Sequence, residues 1–185
     1  MNGYELPTSL NVGGVDYSIR TDFRSVLDIL IAMNDPDLDL NCKIIVLIKI
    51  MYPDYKEIPA EHILEAYEKA CDFIDCGQKD DGKKHPRTVD WEQDAGIIIP
   101  AVNGVAHVEV RALSYLHWWT FFGYFMEIRE SLFTSVLNIR QKKARGKRLE
   151  KWERDFYKEN KDIIDFERKD SDEVKKEKDS IAKWL

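Results

Sequence analysis

Three groups of side chains in this sequence have types and spacings that could do chemistry. Asp90, Glu92 and Asp94 place three carboxylates within five residues, the donor type that holds Mg²⁺. Cys71 and Cys76, with His62 and His85, offer the soft ligands of a zinc site. His117 stands directly before Trp118 and Trp119 and could serve as a general base. Each group also has a plainer reading. The acidic trio falls in the first turn of an expected helix capped by Asp90, where negative charge meets the positive end of the helix dipole. A Cys-x4-Cys followed by a lone histidine is not a zinc spacing, and the two thiols fall on different helical faces. His117 has no carboxylate or nucleophile near it in sequence, so it reads as a buried histidine with one satisfied hydrogen bond. Glycine-rich phosphate loops, Gly-x-Ser-x-Gly and two-histidine helix motifs are all absent from the sequence. The expectation is a protein without catalytic residues, metal or cofactor.

The elements that would position these groups are mainly helical. Leu10, Val12, Val15, Tyr17 and Ile19 alternate around Gly13-Gly14, the pattern of a short β-hairpin with positive φ at its turn. Thr21-Asp22 is the expected N-cap of a first helix with Phe23, Val26, Leu27, Leu30 and Ile31 on one face, ending near Asn34 before Asp35-Pro36. A second helix spans 42–52, capped by Asp37 or Asp39 and apolar almost all round, including Ile45 and Ile48. A third opens at Ile58-Pro59, turns Ile63, Leu64, Tyr67, Cys71 and Ile74 inward, and closes with Gly77 at C′. A polar loop near 78–88 follows and is expected to be mobile. Further helices are expected at 90–102, 113–130, 131–140 and 149–166, with Pro100 a kink or stop in the first of them. The charge-rich segment 171–185 ends the chain. These elements fit a compact helical domain over 1–145 and a charged helical C-terminal extension over 146–185.

The stretch 89–140 must supply much of the core. It holds Trp91, Trp118 and Trp119, and no charged residue lies between Arg111 and Glu127. Tyr115, Trp118, Trp119, Phe122 and Phe125 follow helical spacing. Two readings stand: full burial, or one tryptophan turned inward and its neighbour toward a partner, since adjacent helical positions do not share one face.

Charge is unevenly spread. The chain has 28 Lys/Arg and 34 Asp/Glu for a net −6. From Arg140 onward the balance is about +4, and before it about −10. The basic run 141–148 lacks the interleaved aromatics of a nucleic-acid binder. It reads as a solvated loop between helices or as a docking surface for an acidic partner. The longest uncharged run is shorter than the ~20 apolar residues of a bilayer span, and the N-terminus lacks the pattern of a signal peptide. Cys42, Cys71 and Cys76 are odd in number and read as reduced thiols. Neither nucleic acid nor membrane is an expected partner.

Several blocks together resemble a known family. They are Thr21-Asp22-Phe23-Arg24 after the hairpin, the DWEQDA block with Asp90, Trp91, Glu92 and Asp94, the YLHWWTF block with His117, and the helix end Leu137-Asn138-Ile139-Arg140. A lysine-rich tail and a charged helix bearing Tyr157 follow. In this order they resemble the "gp-fifteen" type of tailed bacteriophages of Gram-positive hosts, encoded next to the tape-measure protein. The resemblance implies a tail assembly chaperone in the host cytoplasm, with the tape-measure protein as client, the tail-tube protein as a second partner, and self-association as an option. The alternative is a structural tail or connector component. The residues expected to meet a partner are Tyr115, Trp118, Trp119, Phe122, Ile45 and Ile48.

Overall fold

The structure is a computed structural model that describes residues 4–78 and 86–167. The chain is mainly helical with one short antiparallel hairpin. β1 (Ser9–Val12) pairs with β2 (Val15–Ser18) in the register Val12↔Val15. Gly13 and Gly14 both have positive φ, +57° and +83°, as the two-residue turn requires. Leu10 and Val12 are buried against α3 (Ile63–Ile74), so the hairpin finds the helical surface that two strands alone need.

Local capping chemistry sets the first two helices. Asp22 accepts from the Arg24 amide at the start of α1 (Phe23–Asn34), and Asp39 accepts from the Cys42 amide at the start of α2 (Leu40–Met51). Each caps orphan N–H groups of a first turn. α3 ends one residue earlier than its glycine suggested. Cys76, not Gly77, takes the left-handed C′ position, with Cys76 N–H donating to the Phe73 carbonyl and Gly77 N–H to that of Asp72. The inward face of α3 is also rotated from expectation. Ala66, Ala70, Phe73 and Ile74 are buried while Leu64 is exposed, because the two alanines let the hairpin and α2 approach closely.

The second half departs further from the periodic reading. α4 runs over Ala95–Ala106, not 90–102, and continues through Pro100. The Asp90 carboxylate instead caps the turn before it, accepting from the Glu92 and Gln93 amides. The expected helix over 113–130 is a 3-10 turn (Val110–Ala112), an extended stretch, and the nine-residue α5 (Trp118–Met126). α6 (Leu132–Ala144) starts with a Ser131–Thr134 capping box and absorbs half of the basic run before Gly146 closes it with positive φ. The single helix expected over 149–166 is two, α7 (Lys151–Glu159) and α8 (Lys161–Ile164), broken at Asn160.

One apolar core joins the hairpin to α1–α5 and the start of α6. A smaller cluster of Val136, Ile139 and Ile164 seats α8 on α6. Residues 79–85, most of the loop expected near 78–88, and the segment 171–185 lie outside the described residues. Among those residues no helix is long and apolar enough to cross a membrane.

Candidate partner-binding site

The blocks singled out by the sequence meet in space as two joints. At the first, α1 and α5 start side by side. Phe23 N–H donates to the Leu116 carbonyl (3.0 Å) and Trp118 N–H to that of Thr21 (2.7 Å), a β-bridge between Asp22 and His117, the two N-caps. The Asp22 carboxylate also accepts from the Leu116 amide (3.1 Å). Arg24 reaches back to the Arg111 and Leu113 carbonyls and holds the 3-10 turn in place. Beneath the bridge Phe23 and Phe121 stack at 4.5 Å.

His117 is buried and uses both ring nitrogens. Nδ1 accepts from the Trp119 amide (3.0 Å), which caps α5, and Nε2 lies 3.0 Å from the Pro7 carbonyl. A Nδ1 that accepts leaves the proton on Nε2, so the ring is the neutral tautomer that donates to Pro7. A base needs a free nitrogen facing a substrate, and this one has none.

The tandem tryptophans resolve in an unexpected way. Trp118 is buried, and its indole N–H donates to the Ile74 carbonyl (2.8 Å). Trp119 is half-buried, and its indole N–H donates to the adjacent Phe73 carbonyl (2.9 Å). Both rings thus cap the C-terminal end of α3: among the described residues the Ile74 carbonyl has no backbone donor and takes one indole, and the Phe73 carbonyl takes the other beside the Cys76 N–H. Adjacent positions cannot share one face of their own helix, but two long indoles can reach successive residues of another. The sequence signal was the pair of N–H donors rather than the apolar area.

The second joint is ionic. Arg140 and Asp94 form a fully buried bidentate pair, at 2.6 Å and 2.9 Å. Asp94 also accepts from the Asp90 amide (2.9 Å). Arg140 donates further to the carbonyls of Ile164 (2.7 Å), Ile163 (2.7 Å) and Thr88 (3.1 Å), and lies under the Phe166 ring. Arg87 pairs with Asp90. Of the acidic trio, two are therefore occupied by backbone and arginine, and Glu92 is exposed. Trp91 packs between Trp118 and Phe125 and links the two joints.

The residues expected to meet a partner divide three ways. Trp118 and Ile48 are interior, as parts of the core. Trp119 and Phe122 are half-buried, with Phe122 packed on Trp118 and Phe125. Tyr115 and Ile45 are exposed, the Tyr115 hydroxyl being tied to that of Thr21 (2.7 Å). α2 is polarised along its length. Leu47, Ile48 and Met51 are buried, while Leu40, Cys42 and Ile45 in its first half are exposed and Ile44 half-exposed. Periodicity could not find this division, because α2 is apolar on nearly every side. Cys71 and Cys76 are half-buried, burial pushing both thiols up, Cys76 to about 12. Among the described residues no group of three His, Cys, Asp or Glu could hold a metal ion.

A model of the family described as "Bacteriophage Gp15 protein" matches residues 4–166. No curated protein matches the chain. No solved structure matches it either.

Proposed function

The chain belongs to the bacteriophage Gp15 protein family, and on that premise we propose that it is a non-catalytic tail assembly chaperone. In this reading it works in the host cytoplasm and keeps the tape-measure protein soluble until tail-tube subunits polymerise around it. The observation that carries the reading is the first half of α2. Leu40 is 65% exposed and Ile45 50% exposed, on a helix whose second half buries Leu47, Ile48 and Met51. An outward apolar helix surface suits a client that is itself a long amphipathic helix. Tyr115, Trp119 and Phe122, at and before α5, add further partly open apolar surface. Each surface alone is small, so several copies along one client would gain by avidity. Asp90, Asp94 and His117, which could have done chemistry, are instead engaged by backbone groups and arginines, which supports a role in binding rather than turnover.

Co-expression with the tape-measure protein of the same phage tests this. The client is expected to become soluble and to co-purify. Leu40→Asp and Ile45→Asp should abolish capture while the thermal transition of the chaperone stays in place. A client that remains insoluble, or that is captured equally by both variants, refutes the proposal. Mass spectrometry of purified particles should find the protein absent, whereas many copies per virion would make it a structural tail or connector component.

A further inference from the structure

The C-terminal end of α6 and the start of α7 enclose a cleft of about 280 Å³, lined in part by Lys142, Arg145, Lys147, Trp152 and Glu153. Lys142 is already neutralised by Glu153 at 2.6 Å. Among the described residues no carboxylate pairs with Arg145 or Lys147, and both are exposed. Trp152 lines the same cleft and is 59% exposed. Two unpaired cations beside an open indole suit a helix that presents carboxylates around one apolar side chain. The carboxylates would take charge-assisted hydrogen bonds, and the apolar group would cover the ring.

The chain carries such a face itself. Glu61, Leu64, Glu68 and Asp72 follow three-and-four spacing along the entry to α3 and α3 itself, and all four are exposed. Leu64, between Glu61 and Glu68, is 60% exposed. Glu65 beside it is occupied by His62 and the Gly13 amide, but no ion pair holds Glu61, Glu68 or Asp72 among the described residues. The three carboxylates span roughly 16 Å of helix.

We infer that the α6–α7 cleft of one copy receives the α3 face of a second copy. Each copy offers one cleft and one α3 face, so copies joined head-to-tail form rows or rings, and two copies joined by both contacts at once form a two-fold pair. Neither surface includes a residue of the exposed half of α2. The inference does not depend on the identity of any client and is tested with the pure protein.

The test is sedimentation and light scattering of the full chain at low and high salt, with charge-swapped variants. Wild type is expected to associate with rising concentration and to dissociate as salt screens the contact. Arg145→Glu with Lys147→Glu, and separately Glu61→Lys with Glu68→Lys, should each weaken association by ~100-fold or more, since each sets like charges face to face. Mixing the two variants should restore it, because each then offers the complement of the other. Trp152→Ala should weaken association by ~30-fold, the effect of losing an aromatic anchor. Arg145→Gln with Lys147→Gln replaces the first variant should reversal disturb the thermal transition. Wild type that stays monomeric at its highest soluble concentration overturns the inference. So does a pair of swapped variants that remain monomeric when mixed, or a swapped variant that associates as wild type does.

Discussion

Replacing Arg140 with Met is the sharpest test of how this fold is held. The guanidinium makes five hydrogen bonds, two to Asp94 and one each to the carbonyls of Thr88, Ile163 and Ile164. Methionine fills much of the same volume but makes none of them. The Asp94 carboxylate, fully buried, would be left with the Asp90 amide as its remaining donor. Stranding one member of a buried pair costs ~3–5 kcal/mol, a fifth or more of the ~5–15 kcal/mol that holds a typical domain together. Asp94→Asn should cost less, ~1.5–3 kcal/mol for charged hydrogen bonds weakened, because Arg140 keeps three carbonyls and the Phe166 ring. Removing both charges, with Asp94→Leu and Arg140→Met together, should be less harmful than Arg140→Met alone, since no charge is then stranded. Urea unfolding followed by tryptophan fluorescence gives the energies, and hydrogen exchange over 151–164 reports whether α7 and α8 loosen first. The reasoning fails if Arg140→Met costs under ~1 kcal/mol, or if Asp94→Asn costs more than it does.

His117→Asn keeps an acceptor for the Trp119 amide and should lose less than His117→Ala, which drops the α5 cap at ~0.5–2 kcal/mol; equal melting temperatures would contradict this. Gly13→Ala should destabilise more than Gly14→Ala. Both positions have positive φ, costing ~1–2 kcal/mol for an L side chain, but a Cβ at Gly13 would sit 2.7 Å from the His62 ring while Gly14 faces open space. Native maleimide labelling near neutral pH should mark exposed Cys42 first, slowed by the Asp39 hydrogen bond that holds its thiol above the ordinary range, with Cys71 and Cys76 labelled only on unfolding. The α7–α8 pair should loosen in acid. The Lys142 hydrogen bond lowers Glu153, and at Asp165 burial pushes upward but the hydrogen bonds from Lys143 and Tyr157 outweigh it. Folded carboxyls below their unfolded values stabilise above roughly pH 4, and that contribution is lost as pH falls through the folded values. Exchange protection over 151–164 that stays flat into strong acid would count against it.

What was legible in the sequence was local. Gly13-Gly14, Asp22 and Asp39 act on neighbours within a few residues, and each sits where turn and cap chemistry placed it. The illegible parts depend on partners far along the chain. The α5 boundary is set by the bridge from His117 to Asp22, 95 residues earlier, so helical spacing from 113 onward overran it. Asp94 reads as a first-turn acid until Arg140 is placed beside it. Leu64 reads as core until the alanines of α3 are seen to make the closer packing surface. The same limit governs the candidate site. An all-round apolar α2 announces that some face is unusual but not which half remains open.

The blocks that carry the resemblance meet at the joints of this structure. Thr21-Asp22 meets Leu116-His117-Trp118, Asp94 meets Arg140, and Trp91 packs between them. Side chains so engaged have nothing left to offer a client, which separates two things that the motifs seemed to unite. The motifs report the fold. Of the surfaces available for recognition, the strip of Tyr115, Trp119 and Phe122 overlaps them, while the first half of α2, the α3 stripe and the α6–α7 cleft lie outside. A helix apolar on every side can change which residues it exposes without disturbing a joint. Substitutions that alter client choice should therefore concentrate at positions such as Leu40 and Ile45, those that alter association between copies at Leu64 and Trp152, and those that destabilise the fold at Asp22, Asp94, His117 and Arg140.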